Sequence, residues 1–227
     1  MKVAKVLEHS FLREPLRKSK IVLDCGGNRG HFSRWISINT PAFSHCFEPD
    51  GRLFSQLESE PRIKYHKLAI DGTSGWLELA HGINKCSSAI YREDASQTVE
   101  RVEKITLAHF CKTNEIDRID LLKLDIEGSE LSVLRNATPE FLGICSQITV
   151  EFHDFLDIRD RPAIREIRDR MRSMGFLCIR FSHFTWGDCL FINRSHLPIG
   201  MMELVRIKIR YKLVPGLFRL LRRLYGA

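Results

Sequence analysis

No stretch of this 227-residue chain is apolar for long enough to cross a bilayer, which excludes a membrane-spanning helix. The opening segment, MKVAKVLEHSFLREPLRK, has no continuous apolar core, so no secretory signal is expected and the protein is expected in the cytoplasm. Cysteines are odd in number and scattered. The seven, at 25, 46, 86, 111, 145, 178 and 189, form no C-x-x-C, which excludes a zinc ribbon and a disulfide framework and fits a reducing compartment. Internal repeats and low-complexity tracts are absent. The glycines after the first strand are not followed by Lys-Ser or Lys-Thr, which excludes a P-loop, and Cys25 stands where a G-x-G-x-x-G fingerprint would need its first glycine.

What is there is an ordinary globular composition, 44% apolar and 28% charged, on a chain long enough for one domain and a tail. The net charge of +7 is uneven: residues 201–227 carry +6, leaving +1 on the rest. The expected division is a domain over 1–200, with its core at 20–194, and a basic tail over 201–227. A near-neutral domain with no N-P-P-[YFW] run predicts that nucleic acid is not a partner.

Apolar runs recur at 20–25, 45–49, 65–70, 120–126, 147–153, 176–181 and 188–193, and helix-like stretches separate several of them. Phe32, Trp35 and Ile36 share one helical face, and so do Ile164, Ile167 and Met171 between Pro162 and Gly175. Strands alternating with helices predict a mostly parallel sheet. The last two runs are joined only by SHFTWG, too short for a crossover, so they should pair antiparallel. An extra strand is expected at 75–79 and a polar loop through NKCSSAIYREDASQT.

KIVLDCGGNRGHF reads as strand, glycine turn and helix start, with Asp24, Gly26, Gly27 and Gly30 in the turn. Glycine lets a backbone turn tightly and a ligand approach closely, and the helix start offers free N–H groups. An acid at the head and no cation for a pyrophosphate suit a ligand carrying both an ammonium and a carboxylate, namely S-adenosylmethionine. Eighteen residues beyond Gly30, Glu48-Pro49 closes the next strand, where a carboxylate accepts both hydroxyls of a ribose. Leu68, Ala69 and Ile70 are small and apolar enough to border an adenine.

These segments, together with KCSSA, LLKLDIEGSELSVLRNA and ITVEFH, resemble the FkbM family of S-adenosylmethionine-dependent methyltransferases over about residues 21–193, D-I-E-G-x-E-x-x-V-L being the most specific run. The resemblance implies an α/β, class I methyltransferase fold: a Rossmann-like three-layer sandwich with a seven-stranded, mostly parallel sheet in the order 3-2-1-4-5-7-6, strand 7 antiparallel. It implies O-methylation of a sugar, glycolipid or polyketide-like hydroxyl. It also implies that Asp24, Gly26, Asn28, Gly30, Glu48 and Ala69 contact the cofactor, with Gly27, Phe32, Pro49 and Ile70 completing the set and Asp125 at the methionine end.

Methyl transfer to oxygen needs two aligned reactants and removal of a proton. His153, with a side chain that titrates near neutrality, is the candidate base, with Asp125 and Glu127 beside it; a plain structural histidine at a strand tip is the alternative. Glu130 is expected to serve the start of the following helix. Asp125, Glu151 and His153 are the set that would hold a divalent cation if one is used. His183 and Trp186 are expected at the rim, and Lys85, Ser87 and Ser88 in a loop suited to substrate contacts. In the tail, VRIKIRYKL alternates with period two and is expected to be a strand or extended segment. LFRLLRRLY reads as a basic amphipathic helix, suited either to an anionic membrane or to docking on the domain. A non-catalytic relative of the fold, attached to a membrane or a glycan-assembly complex, is the alternative function.

Overall fold

The computed structural model describes residues 2–17, 20–81, 88–90 and 98–213. The chain opens with an antiparallel hairpin, β1 (Val3–Val6) and β2 (His9–Leu12). There follow β3 (Ile21–Cys25), α1 (His31–Asn39), β4 (Phe43–Phe47), α2 (Gly51–Phe54), β5 (Ile63–His66) and β6 (Ala69–Ile70). Next come β7 (Gly75–His81), β8 (Ser88–Ile90), β9 (Thr98–Ile105), α3 (Leu107–Thr113) and β10 (Leu121–Leu124). The second half holds α4 (Glu130–Asn136), α5 (Pro139–Gly143), β11 (Gln147–Val150), α6 (Arg161–Ser173), β12 (Phe176–Arg180), β13 (Cys189–Asn193) and α7 (Met201–Lys208).

Seven strands form one mixed sheet in the order β12-β13-β11-β10-β3-β4-β5. All neighbours are parallel except β13, which runs against both β11 and β12. Side chains alternate across it as the pleat requires. Leu23, Cys25, Leu122, Leu124, Ile148 and Val150 point to the face covered by α3 to α6. Val22, Leu121, Leu190 and Ile192 point to the other face, under α1, the N-terminal hairpin and α7. On that second face the register sets three polar residues in a row across adjacent strands: Asp24 opposite Lys123, and Lys123 opposite Thr149.

Three expectations are corrected. The run 65–70 is not one strand: β5 ends at His66, and β6 joins a separate four-stranded sheet of order β6-β9-β7-β8. The polar loop expected through NKCSSAIYREDASQT contains a strand, β8, at Ser88–Ile90, and its last residue opens β9; β8, β9 and the N-terminal hairpin were not anticipated. Residues 205–213 are helical, α7 running on into a wider π-type turn over Ile209–Leu213. The reason is packing: Leu204, Ile207 and Tyr211, at helical spacing, meet the core beside Ile199, whereas Val205 and Ile209 remain exposed. The basic segment 217–225 and Lys85 and Ser87 lie outside the described residues. No helix among the described residues is long and apolar enough to cross a membrane.

Candidate functional site

A cleft opens where β3, β4 and β10 end, its empty space about 740 Å³ with open solvent at the mouth included. This is the crevice at the strand ends that open α/β sheets use for ligands. One side is apolar, from Phe47, Leu68, Ala69 and Ile70, with Leu77 and Leu79 of the second sheet closing over it. The other side carries Asn28, Glu48, Asp125, Glu127 and Ser129.

The glycine loop is shaped by contacts from below. The N–H groups of Gly26 and Gly27 donate to the Phe47 carbonyl at 3.1 and 2.8 Å, and Lys123 Nζ donates to the Gly26 carbonyl at 2.6 Å. Gly26 has φ +85°, and a Cβ there would lie 1.6 Å from the Asp125 carbonyl oxygen. Only glycine fits that position. Glu48 accepts the N–H of Asn28 at 2.6 Å and of Asp50 at 2.9 Å, one on each oxygen. Each oxygen keeps a lone pair for a further donor. Burial lifts the Glu48 carboxyl to about 7, with the two backbone N–H groups opposing the rise.

At the other end, four elements deliver charge to one point. Asp125 Oδ2 lies 3.3 Å from Lys123 Nζ and 3.3 Å from His9 Nε2. Burial would raise the Asp125 carboxyl, but Lys123 and His9 hold it below the usual range. Glu127 sits in a left-handed conformation, φ +53°, ahead of Gly128 at φ +108°. Glu130 makes that turn possible by accepting the N–H of Ile126 at 2.7 Å and of Gly128 at 3.0 Å. His153 places Nε2 3.4 Å from Glu127 and 3.9 Å from Asp125, and Nδ1 3.4 Å from Glu130. Burial lowers its basicity, yet Glu130, Glu127 and Asp125 outweigh burial and lift the imidazole to about 9. Burial brings the Glu151 carboxyl to about 7, with Asp125 adding to the rise.

Of the residues predicted from sequence, Gly26, Asn28, Glu48, Pro49, Ala69, Ile70, Asp125 and Glu127 line the cleft. Asp24, Gly27, Gly30 and Phe32 do not. The Asp24 carboxylate is fully buried beneath the loop, accepting from Ser33 Oγ at 2.7 Å and paired with Lys123 at 3.1 Å. Gly27 faces Cys46, Gly30 opens α1 against Tyr65, and Phe32 is buried under the sheet. The cation set is corrected too. Asp125, Glu151 and His153 do not converge as one group; Asp125 is shared by two sets, His9–Asp125–Glu151 and Asp125–Glu130–His153. Lys123 places a buried ammonium 3.3 Å from Asp125 Oδ2, the residue both sets share.

Trp186 is mostly buried; its backbone N–H donates to Asp154 Oδ1 at 2.7 Å and Arg180 lies over its ring, so it secures the loop between β12 and β13. Sequence reasoning missed Lys123 and His9. The signal for Lys123 was present: a lysine inside the apolar run LLKL needs a buried acid, and Asp24 occupies the same register.

A mixed α/β sandwich with a ligand cleft at its strand ends is a Rossmann-like arrangement of the methyltransferase type. The pattern described as the methyltransferase FkbM domain matches residues 24–178, more than half of the chain, and the protein belongs to that family. The chain is similar to methyltransferase 1 of Beauveria bassiana, 23% identical over 62% of this chain and 67% of that protein. It is also similar to the AMB antimetabolite synthetase AmbE of Pseudomonas aeruginosa, 24% identical over 69% of this chain, which spans only 9% of that protein. Family and relative together make it a methyltransferase.

Proposed function

We propose that the protein is an S-adenosylmethionine-dependent O-methyltransferase acting on a hydroxyl of a saccharide or glycolipid. The observation that carries this is the order of groups along the cleft: an apolar slot, then Glu48 with acceptor capacity to spare, then the glycine loop, then Asp125. An adenine, a ribose and a methionine tail need that sequence of surroundings. When bound, S-adenosylmethionine supplies an electrophilic methyl on a sulfonium. The chain's own residues do the rest. Glu48 takes the ribose hydroxyls, Asp125 takes the ammonium end, and Glu127 borders the space where an acceptor hydroxyl lies.

His153 Nε2 is proposed to take the hydroxyl proton. As a base it acts in its unprotonated form, and because its neighbours lift the imidazole to about 9 that form is scarce at neutral pH, so the rate climbs with pH. Beyond His153 the rim presents apolar side chains among charged ones. Phe155, whose ring is 5.3 Å from that of His153, Leu156, Ile158 and Phe184 are exposed. Their two loops are tied by Arg161, which bonds Asp154 at 2.7 Å and the Phe184 carbonyl at 2.9 Å. An apolar shelf beside a polar centre supports an amphipathic acceptor, a glycolipid in preference to a free sugar. Exposed Met201, Met202, Val205 and Ile209, beside Arg206, Lys208 and Arg210, support a tail that rests on anionic lipid in the cytoplasm. Cosedimentation with anionic liposomes checks the tail: deletion of 201–227 should abolish it. Calorimetric titration with S-adenosylmethionine tests the main proposal, with one site expected and no heat of binding contradicting it.

A further inference from the structure

His9 stands fifteen residues before the segment that matches the family and is fully buried. Its neighbours are chemically selective. Nε2 lies 3.3 Å from Asp125 Oδ2 and 3.9 Å from Glu151 Oε2, Nδ1 lies 3.5 Å from Thr149 Oγ1, and the ring meets Phe32 edge-on at 5.7 Å. The strand carrying it is pinned to the sheet. Ser10 bonds Asp188 through its N–H at 3.0 Å and its hydroxyl at 2.8 Å, and Leu12 exchanges two hydrogen bonds with the Gln147 amide at 2.9 and 3.0 Å. Phe11 and Leu12 are fully buried in the core of that face. An imidazole so held has one arrangement that satisfies both neighbours: Nε2–H donates to Asp125, and Nδ1 accepts the Thr149 hydroxyl. Burial, the largest influence on it, keeps the ring neutral.

We propose that His9 is a positioning residue for Asp125, so that the N-terminal hairpin is a working part of the methyl-transfer site. His9 and Lys123 together hold Oδ2, and Oδ1 is left on the side of His153. A carboxylate held by two donors from different elements cannot rotate to another rotamer when a ligand enters. Binding then loses less freedom on ordering the site. The inference rests on the proposal that Asp125 meets the methionine end of S-adenosylmethionine.

The test compares wild type with His9→Gln and His9→Leu, titrated calorimetrically with S-adenosylmethionine, with melting curves on all three. Glutamine reaches the same place with an N–H, whereas leucine fills the space without one. Affinity is expected to fall about tenfold in His9→Leu and to stay within about threefold of wild type in His9→Gln. A folded His9→Leu that binds as tightly as wild type would overturn the inference and leave the cofactor proposal standing. No binding by wild type would overturn both. Should His9→Leu fail to fold, ¹⁵N spectra of wild-type histidines decide: a neutral ring protonated at Nε2 is expected, and one protonated at Nδ1 contradicts the proposal.

Discussion

The two ends of the cleft are built from different materials. At the Glu48 end the shape comes from backbone groups within one short span: N–H groups of residues 26, 27, 28 and 50 meet the Phe47 carbonyl and the Glu48 carboxylate. At the Asp125 end it comes from side chains drawn from β2, β10, the first residue of α4 and the segment after β11, namely His9, Lys123, Glu130 and His153. A backbone-made end depends on where the chain can bend, and tolerates exchange of most neighbouring side chains. A side-chain-made end depends on charge balance, so removal of one member exposes the others.

That contrast orders the expected effects. The largest follows loss of Lys123, the cation between Asp24 and Asp125. Lys123→Ala leaves the fully buried Asp24 carboxylate without its cation and Asp125 with His9 alone, and should cost about 3–5 kcal/mol in denaturant unfolding, whereas Gly27→Ala, at the other end, should chiefly displace Cys46. Next comes turnover. His153→Ala should lower the rate about a hundredfold, measured with any accepted hydroxyl substrate, if it moves the proton. The pH profile separates His153 from Glu151. The unprotonated form is the active one, so at saturating S-adenosylmethionine kcat/KM for the hydroxyl substrate should climb until about pH 9; a plateau reached just above pH 7 would assign proton transfer to Glu151 instead.

A smaller effect belongs to the backbone-made end. The ionised Glu48 accepts ribose hydroxyls best, so affinity for S-adenosylmethionine should rise as pH passes through about 7, and Glu48→Gln should bind about tenfold more weakly and lose that rise. Smallest of all is Arg159→Ala, which removes an exposed pair with Asp157. It should leave stability within about 0.5 kcal/mol of wild type.

The same contrast explains what could be read from the sequence. The glycine turn, Glu48 and the strand ends were legible because each is a local pattern: a turn residue, an acid at a fixed distance, an apolar run. Asp24 was legible as a residue but not in its role, since the pairing that turns it inward depends on Lys123 in a strand a hundred positions away. His9 gave no local signal. HSFL is a four-residue strand, and its histidine acquires meaning only when the hairpin folds across β11. YHKLAI misled because an apolar run does not reveal that the chain changes sheets at Lys67 and Leu68. VRIKIRYKL misled because its alternation coexists with a helical stripe at 204, 207 and 211, and packing against Ile199 decided between them.

One measurement bears most directly on the central claim: calorimetric titration of S-adenosylmethionine into the wild-type protein and into Gly26→Val. The account predicts a single site in wild type and none in the variant, whose branched side chain cannot coexist with the Asp125 carbonyl 1.6 Å from where its Cβ would stand. Equal binding by the two would contradict it, because the ligand would then lie somewhere other than the glycine loop.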